Sequence, residues 1–231
     1  MPDSYKNEVR NVRLFAHMDD VSFNTVMRGA YVQNFPPQID LIHEGETPDF
    51  LHVVLAGSVD LYSSWNNRET SMATVRPVST FILAATIKDM PYLMSARTLE
   101  KSRVALVPSQ DVRDIFMKDS LFALAVVTEL AQCYRAVIRN TKDLKLRTSL
   151  ERLSNYLLRQ KHRTDSIEFD LTMEKKRLAS FLGMTPENLS RAFKALEPYG
   201  VTVDAHRITI HNLDDLVGFA KPNPLIDDYS L

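Results

Sequence analysis

The 231 residues allow a sizeable core and two modest domains, and 45% hydrophobic with 25% charged residues marks a folded globular chain rather than a disordered one. One cysteine, Cys133, excludes a disulfide framework and a four-cysteine zinc or iron–sulfur site within a single chain. No uninterrupted apolar run reaches the ~18–20 residues of a membrane span, and MPDSYKNEVRNVR has no apolar signal core, so the expected setting is cytoplasmic, with no membrane partner.

In chain order, the pattern predicts a short helix over Val9–Arg13 and a second from Asp20 to Met27, capped by Asp19 or Asp20. From Ala30 to about Val107, short β-rich runs alternate with turn residues: YVQNF, IDLIHEGE, FLHVVLAGSVDLYSS, TSMATVRPV and SARTLEKSRVALVP. Asn66-Asn67 reads as a hairpin turn, and the strand spacing suggests a sandwich or roll. Asp111–Lys118 reads as a short helix and Ser120 to about Lys145 as a long one. The long helix carries two apolar stripes. Leu124, Val127, Ala131, Tyr134, Ile138 and Thr141 form a heptad-like seam, while Leu130, Val137 and Leu144 mark a second face. One stripe is enough to pack a helix on its own domain, so two imply a partner helix and a homodimer.

Thr148-Ser-Leu-Glu151 has the spacing of a capping box, so a new helix begins there and Leu146–Thr148 is a candidate hinge. Leu150, Leu153, Leu157 and Leu158 are its inward residues. SIEFDL reads as a strand, and Thr172 as the cap of MEKKRLASFL. Gly183 ends that helix, Thr185 caps the next, and Pro186 takes the first helical position, where a missing N–H costs nothing. VTVDAHRITI reads as a hairpin, and the tail KPNPLIDDYSL as loose.

Two helices joined by a glycine turn make a helix-turn-helix, with Ala179 permitting close approach and Leu189 fixing the crossing. On its second helix Glu187, Ser190, Arg191 and Lys194 share one face. Arginine pairs bidentately with guanine O6 and N7, and glutamate accepts from the cytosine amino group. Lys194, deeper along the helix, suits a phosphate. Double-stranded DNA is the implied partner. Charge leans the same way: residues 1–134 hold 12 Lys and Arg against 16 Asp and Glu, whereas residues 135–231 hold 16 against 13.

These features resemble the CRP/FNR superfamily of bacterial transcription regulators. HEGETPDFLHVVLAGSVDLY is similar to its cyclic-nucleotide-type β-roll signature, and TPENLSRAFKALEPYGV to its recognition helix. The resemblance implies an α+β chain. Residues 1–118 would form a cyclic-nucleotide-binding-like β-roll, 119–146 a dimerisation helix, and 147–231 a winged helix-turn-helix. Glu187-x-x-Ser190-Arg191 resembles the arrangement of the FNR-like branch, which implies a TTGAT-type half-site in an inverted repeat. RNA polymerase is a further implied partner. Thr172, Thr185, Asn188 and Arg207 complete the candidate DNA-contacting set.

The cyclic-AMP cassette of that family supplies a glycine, a glutamate and an arginine-serine pair. Those positions fall on Leu83, Ala84, Met94 and Ser95 here, and the base-contacting pair on the long helix falls on Val137 and Ile138, with Tyr134 beside them. An apolar site without a countercharge argues against cyclic AMP, because burying an unpaired phosphate costs several kcal/mol. An FNR-type cluster is excluded by the cysteine count. Two readings stay open: an effector such as haem or iron, giving a sensing module with little DNA specificity of its own, or a site filled by its own side chains. No metal-ligating set stands out. Nor does any G-x-S-x-G, P-loop, H-E-x-x-H or paired-carboxylate arrangement, so an enzyme is not expected.

Overall fold

A computed structural model describes residues 2–66 and 68–227, and its backbone divides into two compact units, Met1–Cys133 and Tyr134–Leu231. In the first unit, α1 (Asp3–Arg10) lies earlier than the Val9–Arg13 expected. Val12, within the expected span, is instead buried with Leu14, Phe15 and Met18 in a series of tight turns. The amides of Val12, Phe15 and Met18 donate to the carbonyls three residues back, at 3.0, 2.9 and 3.2 Å. Helix α2 (Asp20–Gly29) begins as expected, the Asp19 carboxylate accepting from the Ser22 amide at 3.0 Å.

The strands follow: β1 (Tyr31–Phe35), β2 (Asp40–Ile42), β3 (Phe50–Ala56), β4 (Val59–Trp65), β5 (Arg68–Val75) and β6 (Ser79–Phe81), then helix α3 (Leu83–Lys88), β7 (Ser95–Thr98) and β8 (Ser102–Pro108). They form two antiparallel four-stranded sheets, ordered β1-β8-β3-β6 and β2-β7-β4-β5. Alternation along β3 serves two cores. Leu51, Val53 and Leu55 join the helical cluster, while Val54 joins Ile42, Leu61, Phe81, Tyr92 and Ala96 between the sheets. Between β3 and β4 the chain turns at Gly57, with φ +81°, where a Cβ would stand 2.6 Å from the Lys101 carbonyl oxygen. Asn66 takes φ +47° in the next hairpin; Asn67 lies outside the described residues.

Helix α4 (Ser109–Phe116) leads to α5 (Ser120–Leu146). The Asp119 carboxylate starts α5 by accepting from the Leu121 and Phe122 amides at 3.0 and 2.9 Å. The face of α5 that packs within the first unit is the one that Leu130 marks, extended towards the start of the helix. Phe122 and Val126 are fully buried there and Leu130 partly, whereas Val137 and Leu144 are exposed. Phe122 stacks on Phe15, their ring centroids 5.8 Å apart. By length and composition alone α5 is long and apolar enough to cross a membrane. Glu129 and Arg135 interrupt it, which is why no continuous apolar run registers in the sequence.

The second unit holds the end of α5, then α6 (Ser149–Thr164), β9 (Glu168–Asp170), α7 (Lys175–Phe181) and α8 (Pro186–Ala195). A 3-10 turn (Glu197–Tyr199), β10 (Val201–Asp204), β11 (Arg207–Ile210) and α9 (Leu213–Ala220) complete it. The Thr148–Glu151 capping box is present in full. Leu153, Leu157, Leu178, Leu189, Leu196, Ile208 and Leu216 form its core. Strands β10, β11 and β9 make a small antiparallel sheet, the wing. Helix α9, absent from the sequence reading, is capped by Asn212 and buries Leu216 and Ala220. Nor is the tail loose as far as Asp227, which is buried and bonded to Arg147 and Arg159 at 2.8 and 3.1 Å.

Candidate nucleic-acid interface

Helices α7 and α8 are joined by a turn whose hydrogen bonds are complete. Gly183, at φ +64°, donates to Ser180 O and Met184 to Ala179 O, both at 2.9 Å, so the last carbonyls of α7 are satisfied by a left-handed glycine cap. A Cβ at Gly183 would also meet Leu144 Cδ2 at 2.9 Å. From α6, buried Arg152 reaches into this turn, its Nε donating to Leu182 O at 2.8 Å. Helix α8 then starts on Thr185, whose Oγ1 accepts from the Asn188 amide at 3.2 Å, with Pro186 at the first helical position.

One face of α8 is buried through Leu189, Ala192 and Phe193. The other presents Glu187, Asn188, Ser190, Arg191 and Lys194, all exposed. Four of these polar side chains are already engaged. Ser190 Oγ donates to Pro186 O at 3.1 Å, and Arg191 Nη2 to Asn188 Oδ1 at 2.7 Å. Hydrogen bonds from its own amide and from Thr185 hold the Glu187 carboxyl below its ordinary range, with the Arg191 charge a lesser cause. Lysine 175 adds a cation whose Nζ lies 5.9 Å from the Phe193 ring centroid.

One expected helix cap is not formed. Thr172 does not cap α7: the helix begins at Lys175 after Glu174, and no side chain caps it. The cause is that Leu171 is still drawn to the wing, its amide donating to His206 O at 2.9 Å, so the chain cannot turn into a helix at once. Arg207 stands exposed at the first position of β11, with its Nε 3.5 Å from Asp170 Oδ1 across the sheet. The Asn188–Arg191 pair was available in the sequence as an i,i+3 spacing. Arg152 was not, because its partners in this turn are 30 and 31 residues away.

The candidate effector residues fall in separate environments. Leu83 is buried in the helical cluster, Ala84 is exposed, and Met94 packs on the core between the sheets. The Ser95 hydroxyl accepts from the Glu44 amide at 3.0 Å. Arg97, on the face opposite Met94, is bound to Asp40 at 2.8 Å and lies over the Tyr62 ring. Tyr134, Val137 and Ile138 are exposed on the part of α5 that belongs to the second unit. Among the described residues, no group of three or more His, Cys, Asp or Glu could hold a metal ion. His52 is the buried imidazole of the roll, its ring 5.0 Å from that of Phe81. Burial brings its pKa down to about 4, against a weaker opposing bond with the Phe50 backbone. Its Nδ1 has no hydrogen-bond partner.

An exposed polar helix face, set by a glycine turn and followed by a β wing, defines a winged helix-turn-helix regulator. Comparison with known proteins agrees. The Crp-like helix-turn-helix domain matches residues 151–219 and the cyclic nucleotide-binding domain residues 32–119. The chain belongs to the CRP/FNR family, a family of transcription regulators and not of enzymes. A probable transcriptional regulator, flp, from Lacticaseibacillus casei is 25% identical over 178 residues, covering 76% of this chain and 81% of that protein. Two solved structures share the fold. A putative CRP/FNR-family regulator from Eubacterium rectale is 16% identical with TM-score 0.72, over 90% of this chain and 98% of that one. FixK2 from Bradyrhizobium japonicum is 21% identical with TM-score 0.68, over 82% and 96%.

Proposed function

We propose that this CRP/FNR-type regulator acts as a cytoplasmic homodimer on an inverted-repeat DNA site and without catalytic activity. Two helix-turn-helix heads then meet half-sites about one helical turn apart. The observation that carries this reading is the exposed face of α8, where Glu187, Ser190 and Arg191 precede Lys194. The N-terminal half of a recognition helix enters the major groove first, so Arg191 reads guanine, Glu187 the neighbouring cytosine edge, and Lys194 a phosphate. The resemblance of Glu187-x-x-Ser190-Arg191 to the FNR-like branch makes a TTGAT-type palindrome the first site to try. Family resemblance likewise suggests RNA polymerase as a partner and an effector other than cyclic AMP.

The test is titration of a TTGAT-type palindrome and of random DNA at one stated salt concentration. Arg191→Ala is expected to weaken the palindrome by ~1–3 kcal/mol and random DNA less. Lys194→Ala is expected to weaken both alike and to lower the salt slope by about one. Equal losses on both DNAs with Arg191→Ala would make Arg191 a phosphate anchor and remove the support for base reading.

Dimerisation rests on the seam of α5. Leu124, Val127, Tyr134 and Ile138 are 42–67% exposed, and Ala131 is exposed with them. A stripe of that extent matches a partner helix in the manner of a coiled coil. Ala131→Glu combined with Ile138→Glu is expected to give monomers by light scattering. A double variant of dimer mass would place the interface elsewhere.

A further inference from the structure

On the exposed face of α8, the orientation of Arg191 depends on one neighbour. Its Nη2 donates to Asn188 Oδ1 at 2.7 Å, one turn back. The other candidates are directed elsewhere: Ser190 bonds the Pro186 carbonyl, and the Glu187 carboxylate is held first by its own amide and by Thr185. Asn188 is itself placed by the cap, since its amide donates to Thr185 Oγ1 at 3.2 Å. A chain of contacts therefore runs from the cap hydroxyl, through Asn188, to the guanidinium.

We infer that Asn188 is a positioning residue that sets the plane of the Arg191 guanidinium for base reading. The inference rests on the proposed role of Arg191 at guanine. Guanidinium has five N–H donors in a rigid plane, so one bond to Asn188 restrains that plane and leaves donors for a bidentate contact with O6 and N7. An amide suits this task because its carbonyl holds the cation without neutralising it. A carboxylate at the same place would hold Arg191 as firmly but add a negative charge facing the DNA phosphates. An arginine left loose keeps its affinity for phosphate and loses its preference among bases, because phosphate contacts demand less of its orientation.

The experiment is a double-mutant cycle of Asn188→Ala and Arg191→Ala, measured on the operator-type palindrome and on random DNA at fixed salt. Asn188→Ala is expected to lower the operator-to-random affinity ratio by roughly 3- to 10-fold in the wild-type background and to leave that ratio unaltered in the Arg191→Ala background. Asn188→Asp, which keeps the acceptor in place, is expected to retain the ratio while weakening both DNAs. Asn188 is exposed and its capping amide is backbone, so the melting temperature of Asn188→Ala should match wild type and confirm a folded head. If the Asn188→Ala loss persists undiminished in the Arg191→Ala background, Asn188 contacts DNA on its own account and the inference is wrong. An unchanged ratio for Asn188→Ala also overturns it. Failure of the underlying reading is distinct: Arg191→Ala alone would then weaken both DNAs equally.

Discussion

His52 in the first unit and Asp227 in the second are both buried titratable side chains, and they are accommodated on opposite terms. In the roll, His52 lies 4% exposed between the sheets, with an unpaired Nδ1 and an imidazole that stays neutral down to about pH 4. In the second unit, Asp227 is 3% exposed and carries its charge. Burial alone would raise its pKa, yet bonds from Arg147 and the Asn223 amide, with the charges of Arg147 and Arg159, bring it below the ordinary range. Imidazole can shed its charge at neutral pH and needs little company. A carboxylate kept charged in such a place needs an ionic cluster around it. The same contrast separates the two candidate regions: mostly apolar side chains at the positions proposed for an effector, polar ones engaged in hydrogen bonds on α8.

The largest expected effect breaks the ionic side of the comparison. Asp227→Ala leaves the Arg147 guanidinium, 8% exposed, with Asp143 at 2.9 Å but without the partner that chiefly holds its charge. Breaking such a buried pair from one side costs about 3–5 kcal/mol. Chemical denaturation should show that loss in the transition of the second unit, and hydrogen exchange should report early opening at Arg147 and Asn223.

The next effect tests the neutral side. The His52 pKa is depressed in the folded state, so below its ordinary value of 6.5 the unfolded chain binds a proton that the folded chain refuses. Stability therefore falls from about pH 6.5 towards pH 4, by roughly 3 kcal/mol over that window. The Asp227 contribution, with its pKa below the ordinary 3.8, is lost only at more acid pH. The roll should thus open before the second unit as pH falls. His52→Leu should abolish this part of the acid dependence, as read by hydrogen exchange in β3 and β6 at pH 5 and pH 7. A roll whose protection is the same at both values would show that His52 is not desolvated as described.

What the sequence disclosed follows from how far each signal reaches. The capping box at Thr148, the Thr185 cap, Pro186 and the Gly183 turn are interactions within a few residues, and all four are present. The polar face of α8 needed only helical periodicity. Misreadings arose where a distant partner decides. The expected Val9–Arg13 helix lies too late because Val12 is buried in a tight turn after α1 ends at Arg10. On α5, periodicity found two stripes without showing that Phe122 and Val126 form the packed one, because that choice depends on Phe15. Asp227 in a proline-containing tail carries no local sign that Arg147 and Arg159 await it 80 and 68 residues earlier.

The smallest expected effect is none at all, from cyclic AMP. A cyclic phosphate taken out of water needs a countercharge and donors for its oxygens. The positions that the family resemblance assigns to that task carry Leu83, Ala84 and Met94, while the Ser95 hydroxyl already accepts from the Glu44 amide. Arg97 is the nearest arginine in sequence, yet Asp40 and Tyr62 engage it on the sheet face opposite Met94. Releasing it would break those bonds and leave the Asp40 carboxyl, now held below its ordinary range against burial by Tyr62 and Arg97, without its cation. Calorimetry with cyclic AMP should accordingly give no heat of binding, and palindrome affinity should not change on its addition. A dissociation constant in the low micromolar range would mean that Arg97 or another cation moves into the site. Arg97→Ala would then decide between them, by abolishing that binding or leaving it intact.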